Sequence, residues 1–284
     1  MPVKHWSFAG LLLTSWCNAR CASCYLRCGP ERAEHMPLDR ALSVWRGLQF
    51  ASGHGCRVHL SGGEPFGNWP GLLALCRAAA REGLGPLESV ETNALWATDA
   101  GRIRGRLRAL GAAGLGKLVI SADPWHQAYI PIDRPRLLAR TAADVLGPER
   151  VQVRWRDWLA TGCDVGELPA PQRRDLLRWW ARRGRDRLNG RGAEELAPLL
   201  PHRPAPAWAG AHCREALLRS RHVHVGPAGG VQPGVCAGIL LGSAAAEDVG
   251  ALWRRLEADH AARPIVGTLA REGPAGLLAM AEAA

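Results

Sequence analysis

Three cysteines, Cys17, Cys21 and Cys24, stand at C-x3-C-x2-C spacing directly after the apolar run Leu11-Leu12-Leu13. Thiolates are the ligands that iron–sulfur clusters prefer, and a loop this short can wrap one side of a small cluster. A cubane cluster has four irons, so three protein ligands leave one iron open to a substrate or cofactor. Such a loop is a reaction centre and not a passive electron relay. The competing chemistry is a zinc knuckle, which wants four ligands; Cys28 or His35 would complete that set. A second group follows at Ser61-Gly62-Gly63-Glu64-Pro65, closing the run Val58-His59-Leu60. Two glycines let backbone approach a ligand without side-chain obstruction. Glu64 can accept from a ligand ammonium group, and Pro65 stops strand pairing.

These residues need a scaffold. Short apolar runs alternate with helical stretches: strands are expected over residues 8–14, 57–61, 88–92, 117–122, 151–155 and 222–225, and helices around 39–51, 70–82, 99–110, 135–146 and 172–183. Alternation at this spacing implies βα units on a parallel sheet, five or six of which make an open or partial barrel. Sites in such sheets sit at the carboxyl ends of the strands. The chemically capable residues fall there. Gly62, Gly63 and Glu64 end the second strand, Thr92 and Asn93 the third, Ser121 and Asp123 the fourth, and Arg154 and Arg156 lie on or just past the fifth. In Asp123-Pro124-Trp125-His126-Gln127, His126 can relay a proton or bind a substrate oxygen, so Asp123 and His126 are the candidate catalytic pair; a loop histidine bonded to backbone is the alternative.

At the cysteine loop and the Gly62-Gly63-Glu64 turn the chain resembles the radical S-adenosylmethionine (radical SAM) enzymes, whose hallmark is that loop after the first strand and that turn after the second. The resemblance covers residue 7 to about 225. It departs at the aromatic that usually precedes the third cysteine: Ser23 stands there, and Tyr25 follows the cysteine instead. The resemblance implies an α/β fold, a partial (β/α)6 barrel with a small C-terminal extension. It implies a [4Fe-4S] cluster on Cys17, Cys21 and Cys24, with S-adenosylmethionine bound to the open iron through its amine and carboxylate. An electron from a reductant such as flavodoxin or ferredoxin then cleaves the cofactor, and the resulting 5′-deoxyadenosyl radical abstracts a substrate hydrogen. Gly62, Gly63 and Glu64 would take the methionine end, Gly63 and Glu64 its amine. Thr92, Asn93, Ser121 and Arg154 would contact ribose and carboxylate, or else cap their strands.

The chain has 284 residues. The barrel core is expected over residues 1–197, a proline-rich linker over 198–212, and a hairpin with a helical extension over 213–284. The hairpin pairs His222-Val223-His224-Val225 with Val231-Gln232 through Gly226 to Gly230. Cys213 and Cys236 flank it, resembling a reduced form of the cysteine-bearing SPASM or twitch extension, so both are candidate ligands of an auxiliary iron–sulfur cluster. Cys56, Cys76 and Cys163 are more distant candidates, Cys76 reading as helix core. Nine cysteines without a signal-peptide pattern point to a reducing cytoplasm and metal use. No apolar run is long enough for a membrane span.

The net charge is +10, and residues 134–191 hold 14 arginines against seven acids. That is either a surface for RNA or a solvated helical face, the second being favoured. Trp179-Trp180 among arginines reads as helix packing, with base stacking as the rival. The hairpin favours a peptide or peptide-derived substrate, and so few residues precede the loop that a peptide-recognition module is expected on a separate protein. The alternatives are an RNA-modifying enzyme and a non-catalytic iron–sulfur or zinc binding protein.

Overall fold

The computed structural model describes residues 3–53, 55–234 and 236–283. Five βα units run in order. Strands β1 (Phe8–Leu12), β2 (Arg57–Ser61), β3 (Leu87–Thr92), β4 (Lys117–Ile120) and β5 (Val151–Val153) alternate with helices α1 (Leu38–Ala51), α2 (Trp69–Arg81), α3 (Ala100–Ala112) and α4 (Asp133–Leu146). Beyond β5 come α5 (Arg156–Thr161), α6 (Ala170–Ala181), α7 (Arg191–Glu195) and α8 (Arg214–Leu217). Strands β6 (His222–Val225), β7 (Gly230–Pro233) and β8 (Gly242–Ser243) then lead to helices α9 (Val249–Asp259) and α10 (Pro264–Glu282).

All eight strands form one sheet in the order β5-β4-β3-β2-β1-β6-β7-β8. The first six are parallel, and β7 and β8 add antiparallel at the far edge. The sixth strand thus closes on the free side of β1, pairing Gly10 with His224, instead of extending the sheet beyond β5. Side-chain caps explain three of the helix starts. Asn68 accepts from the Gly71 N–H and caps α2, Asp99 accepts from Arg102 N at 2.8 Å and caps α3, and Asp248 accepts from Gly250 and Ala251 and caps α9. Helix α10 breaks where Gly273 takes a φ of 65° just before Pro274.

Register divides the sheet into two unlike faces. Ala9 and Leu11 of β1, Val58 and Leu60 of β2, Val90 of β3, Leu118 and Ile120 of β4, and Val223 and Val225 of β6 point to one side and are fully buried in the core. The alternate positions carry Gly10, His59, Ser61, Ser89, Glu91, His222 and His224 beside the apolar Phe8, Leu12 and Val119, a largely polar inner face. Ser61 Oγ donating to Glu91 Oε2 at 3.0 Å links two of them. Side chains alternate along a strand, so one apolar run supplies the barrel's packing while its intervening residues line the interior.

The sequence expectations for β2 and β6 match residue for residue, and the others differ by one to three residues. β1 ends at Leu12, not residue 14, because Leu13 and Thr14 leave the ladder to meet the turn after β2. Helices α5, α7 and α8 lay outside the named expectations, and α9 and α10 lie in residues 213–284, where a helical extension was expected without bounds, although Asp248 before an amphipathic run was a readable start signal for α9.

Leu60 is fully buried between β1 and β3 one residue before the site turn. Replacing it with alanine is expected to lower unfolding free energy by about 2–5 kcal/mol, measured by urea denaturation.

Candidate functional site

The chain leaving β1 is sewn to the turn after β2. Leu13 N donates to Ser61 O at 2.9 Å, Gly63 N to Thr14 O at 2.7 Å, and Glu64 N to Trp16 O at 3.0 Å. A Cβ on Gly63 would overlap the Trp16 carbonyl, and one on Gly62, whose φ is +124°, would press on Thr14 backbone. The glycines therefore serve a contact between two backbone segments, one of which leads directly into Cys17.

The cysteine loop is fixed at its other end by a residue sequence reasoning missed. Arg191 is 3% exposed, and it donates through Nη1 to Cys21 O at 3.0 Å and through Nη2 to Cys28 O at 2.8 Å. Its own N–H donates to Cys24 O at 2.9 Å. Cys17 N donates to Gly29 O, closing the loop. One guanidinium from α7 thus satisfies carbonyls that a cofactor loop would otherwise leave open. No local signal marks Arg191 among the arginines of its segment.

Cys17, Cys21 and Cys24 line one cleft with Gly62, Gly63, Thr92, Asn93, Ser121, His126 and Arg154. Cys28, weighed as a fourth ligand, also lines it, as do Tyr25 and Ser61, which were noted without a role, and Glu91, which was not anticipated. The Tyr25 ring stands where the displaced aromatic of the cysteine motif was noted. Asn93 Nδ2 lies 3.6 Å from Cys17 Sγ and donates to Asn18 Oδ1 at 3.0 Å. The three cysteine sulfurs are not gathered around a point that one ion could fill, since among the described residues only a histidine trio passes that test. A multi-iron cluster spreads its ligand sulfurs more widely than a single ion does, so this donor set fits a cluster better than a zinc knuckle.

Two expected site residues stand behind the lining. The Glu64 carboxylate accepts from Thr92 Oγ1 at 2.9 Å, Asn93 N at 2.7 Å and Phe66 N at 3.1 Å. Burial pushes its pKa up to about 7, with those donors pulling the other way. Glu64 thus ties the ends of β2 and β3 together, with its oxygens committed to protein partners. Asp123, 1% exposed, accepts from Trp125 N and His126 N and holds His126 Nδ1 at 2.8 Å. It lies outside the cleft lining and orients His126, which faces the cleft. Burial works against a charged His126, but Asp123 and the neighbouring Cys21 sulfur outweigh it and hold its pKa well above the ordinary value.

Among the thiols, burial pushes Cys17 up to about 12, whereas the hydrogen bond from Cys28 pulls Cys24 down and leaves Cys28 protonated. Cys28 therefore supports Cys24. Cys213 and Cys236 are half-buried, and among the described residues they complete no three-ligand set around a single ion. Cys56 and Cys76 are core.

No protein-family profile matches this chain, and no curated protein does. Solved structures do. BtrN, crystallised in complex with AdoMet and 2-DOIA, superposes with a TM-score of 0.53 at 15% identity over 90% of this chain and 88% of its own. The anSMEcpe structure with bound AdoMet and Cp18Cys peptide gives 0.46 at 16% identity over 87% of this chain and 80% of its own. Streptococcus suis SuiB bound to S-adenosylmethionine gives 0.40 at 15% identity over 87% and 65%. The BtrN superposition shows that the α/β fold expected from the sequence is the one adopted.

Gly63→Ala is expected to cost about 1–3 kcal/mol through forced repacking and to lower iron uptake on anaerobic reconstitution, read by thermal unfolding and iron assay. Arg191→Met should leave two buried carbonyls unpaired, at about 1–3 kcal/mol, and Arg191→Lys should not rescue it because an ammonium lacks the fork that reaches both.

Proposed function

We propose that this chain is a radical SAM enzyme that reductively cleaves S-adenosylmethionine at a [4Fe-4S] cluster held by Cys17, Cys21 and Cys24. The observation that carries this reading is the convergence of all three thiols and the Gly62-Gly63 turn on one cleft at the carboxyl ends of the parallel strands. The bound cluster and cofactor would supply an electron and a 5′-deoxyadenosyl radical that removes a substrate hydrogen.

The chain's own residues position and shelter that chemistry. Arg191 and the turn after β2 hold the cysteine loop from opposite sides. Gly62 and Gly63 present backbone to the methionine end, and Thr92, Asn93, Ser121 and Arg154 are available to ribose and carboxylate. Arg154 is exposed on the rim, where a guanidinium suits a carboxylate. Glu64 acts through Thr92 and Asn93, and Asp123 through His126, whose ring it orients. A flavodoxin or ferredoxin would deliver the electron.

For the substrate we favour a peptide or peptide-derived molecule. In support, β6, β7 and β8 widen the sheet beside β1 and leave β8 as its edge, the kind of edge an extended peptide can join. RNA draws less support than the charge suggested. Arg136, Arg150, Arg156 and Arg191 are committed to backbone carbonyls, and Arg183 and Arg185 face Asp157. Trp180 is buried while Trp179 is exposed under Arg183, a helix-packing arrangement. No described helix is long and apolar enough to cross a membrane.

Anaerobically reconstituted protein should hold about four irons per chain and release 5′-deoxyadenosine from S-adenosylmethionine with a strong reductant. Cys24→Ala is expected to abolish that release and Cys28→Ser to keep it. A Cys24→Ala protein that still cleaves the cofactor would sink the ligand assignment.

A further inference from the structure

Three imidazoles that the proposed chemistry does not use meet on the inner face of the sheet. His59 of β2 and His222 and His224 of β6 each bring a ring nitrogen within 4.8 Å of the others. His59 Nε2 and His222 Nε2 are 3.0 Å apart. Two imidazole nitrogens on one tetrahedral zinc, each at about 2.0–2.1 Å, stand roughly 3.3 Å from one another. The pair is therefore within a few tenths of an ångström of a shared ion.

The surroundings are built around these rings. β1 lies between β2 and β6, and its Gly10 is paired with both His59 and His224. A Cβ on Gly10 would overlap the His224 ring and come 2.5 Å from His59 Nε2, so the missing side chain is what lets the rings converge across the middle strand. Phe8 packs against His59 and His222, with ring centroids at 4.9 and 4.5 Å. Behind His59, Glu91 Oε1 stands 3.3 Å from Nδ1, a nitrogen that is buried without a well-aligned hydrogen bond. The other Glu91 oxygen is held by Ser61. A carboxylate behind a ligating imidazole is the usual outer partner that sets its tautomer. Burial and the neighbouring imidazoles pull His222 down to about 4 and His224 to about 3, leaving both neutral with lone pairs available. His222 is partly exposed, which gives an ion its way in.

We propose that His59, His222 and His224 form a second metal site, a three-histidine seat for a borderline divalent ion such as Zn2+. The ion clamps β2 to β6 across β1 and so fastens the C-terminal hairpin to the barrel. Imidazole donors suit zinc and its late first-row neighbours better than calcium or magnesium, and a water completes the tetrahedron.

The test uses the full chain with Cys17, Cys21, Cys24 and Cys28 changed to serine, titrated with Co2+. The expected result is one bound ion per chain with visible bands of a four-coordinate nitrogen–oxygen site and no thiolate charge-transfer band. His222→Gln with His224→Gln should weaken binding at least about tenfold and remove the rise in thermal midpoint that Zn2+ produces. No Co2+ binding, or binding untouched by the two glutamines, overturns the proposal. Should the four-serine chain fail to fold, the wild-type chain is titrated with Zn2+: a thermal shift abolished by the glutamine pair supports the site, and a shift that persists or never occurs refutes it. Neither readout needs an iron–sulfur cluster or S-adenosylmethionine, so the cofactor-cleavage reading stands or falls separately.

Discussion

The contact on which the site depends is made of backbone. Strand β1 delivers the cysteine loop, strand β2 delivers the glycine turn, and the Gly63 N–H to Thr14 carbonyl bond of 2.7 Å joins them. No side chain fits between these segments, as the overlap of a Gly63 Cβ with Trp16 makes plain. Two parallel strands already hold their ends in register. The turn extends that register past the ladder, so the position of Cys17 follows from the position of the sheet. Glu64 continues the same function one strand further, tying β2 to the end of β3 through Thr92 and Asn93.

From the opposite side, Arg191 supplies what an irregular loop lacks. Loops carry carbonyls without ladder partners, and buried ones are costly to leave open. A planar guanidinium can satisfy two at once while bringing positive charge to a ring of thiols. Cys24 is drawn towards thiolate by the Cys28 hydrogen bond and, more weakly, by this charge. An arginine-rich composition that invites thoughts of nucleic acid is thus largely consumed in internal carbonyl contacts and ion pairs. Charge counted along a chain says nothing about which guanidinium groups reach solvent.

The two faces of the sheet explain how one molecule can have a robust core and a polar interior. Outward positions are mostly apolar, while inward positions carry glycine, serine, histidine and glutamate beside Phe8, Leu12 and Val119. Glu91 belongs to both inner regions, lining the cysteine cleft and standing behind His59. Glu91 is thus the residue through which the histidine trio and the cysteine cleft adjoin.

Much was legible without coordinates. The cysteine spacing, the Gly62-Gly63-Glu64 turn and the strand ends at Thr92, Ser121 and Arg154 could be named because short-range periodicity and ligand spacing are local properties. Strand ends in a parallel sheet necessarily share one side, so their residues were bound to meet. The roles of particular side chains were not local. Glu64 lies behind the lining because residues distant in sequence, Thr92 and Asn93, bond its carboxylate, whereas Asp123 is turned away by partners in its own loop, Trp125 and His126. Arg191 reaches a loop some 170 residues away in sequence. His59, His222 and His224 look like ordinary strand residues until β6 pairs with β1 and Gly10 leaves them room. Spacing along the chain decided which chemistry was available; the order of strands in the sheet decided which residues touch, because only that order turns sequence separation into distance.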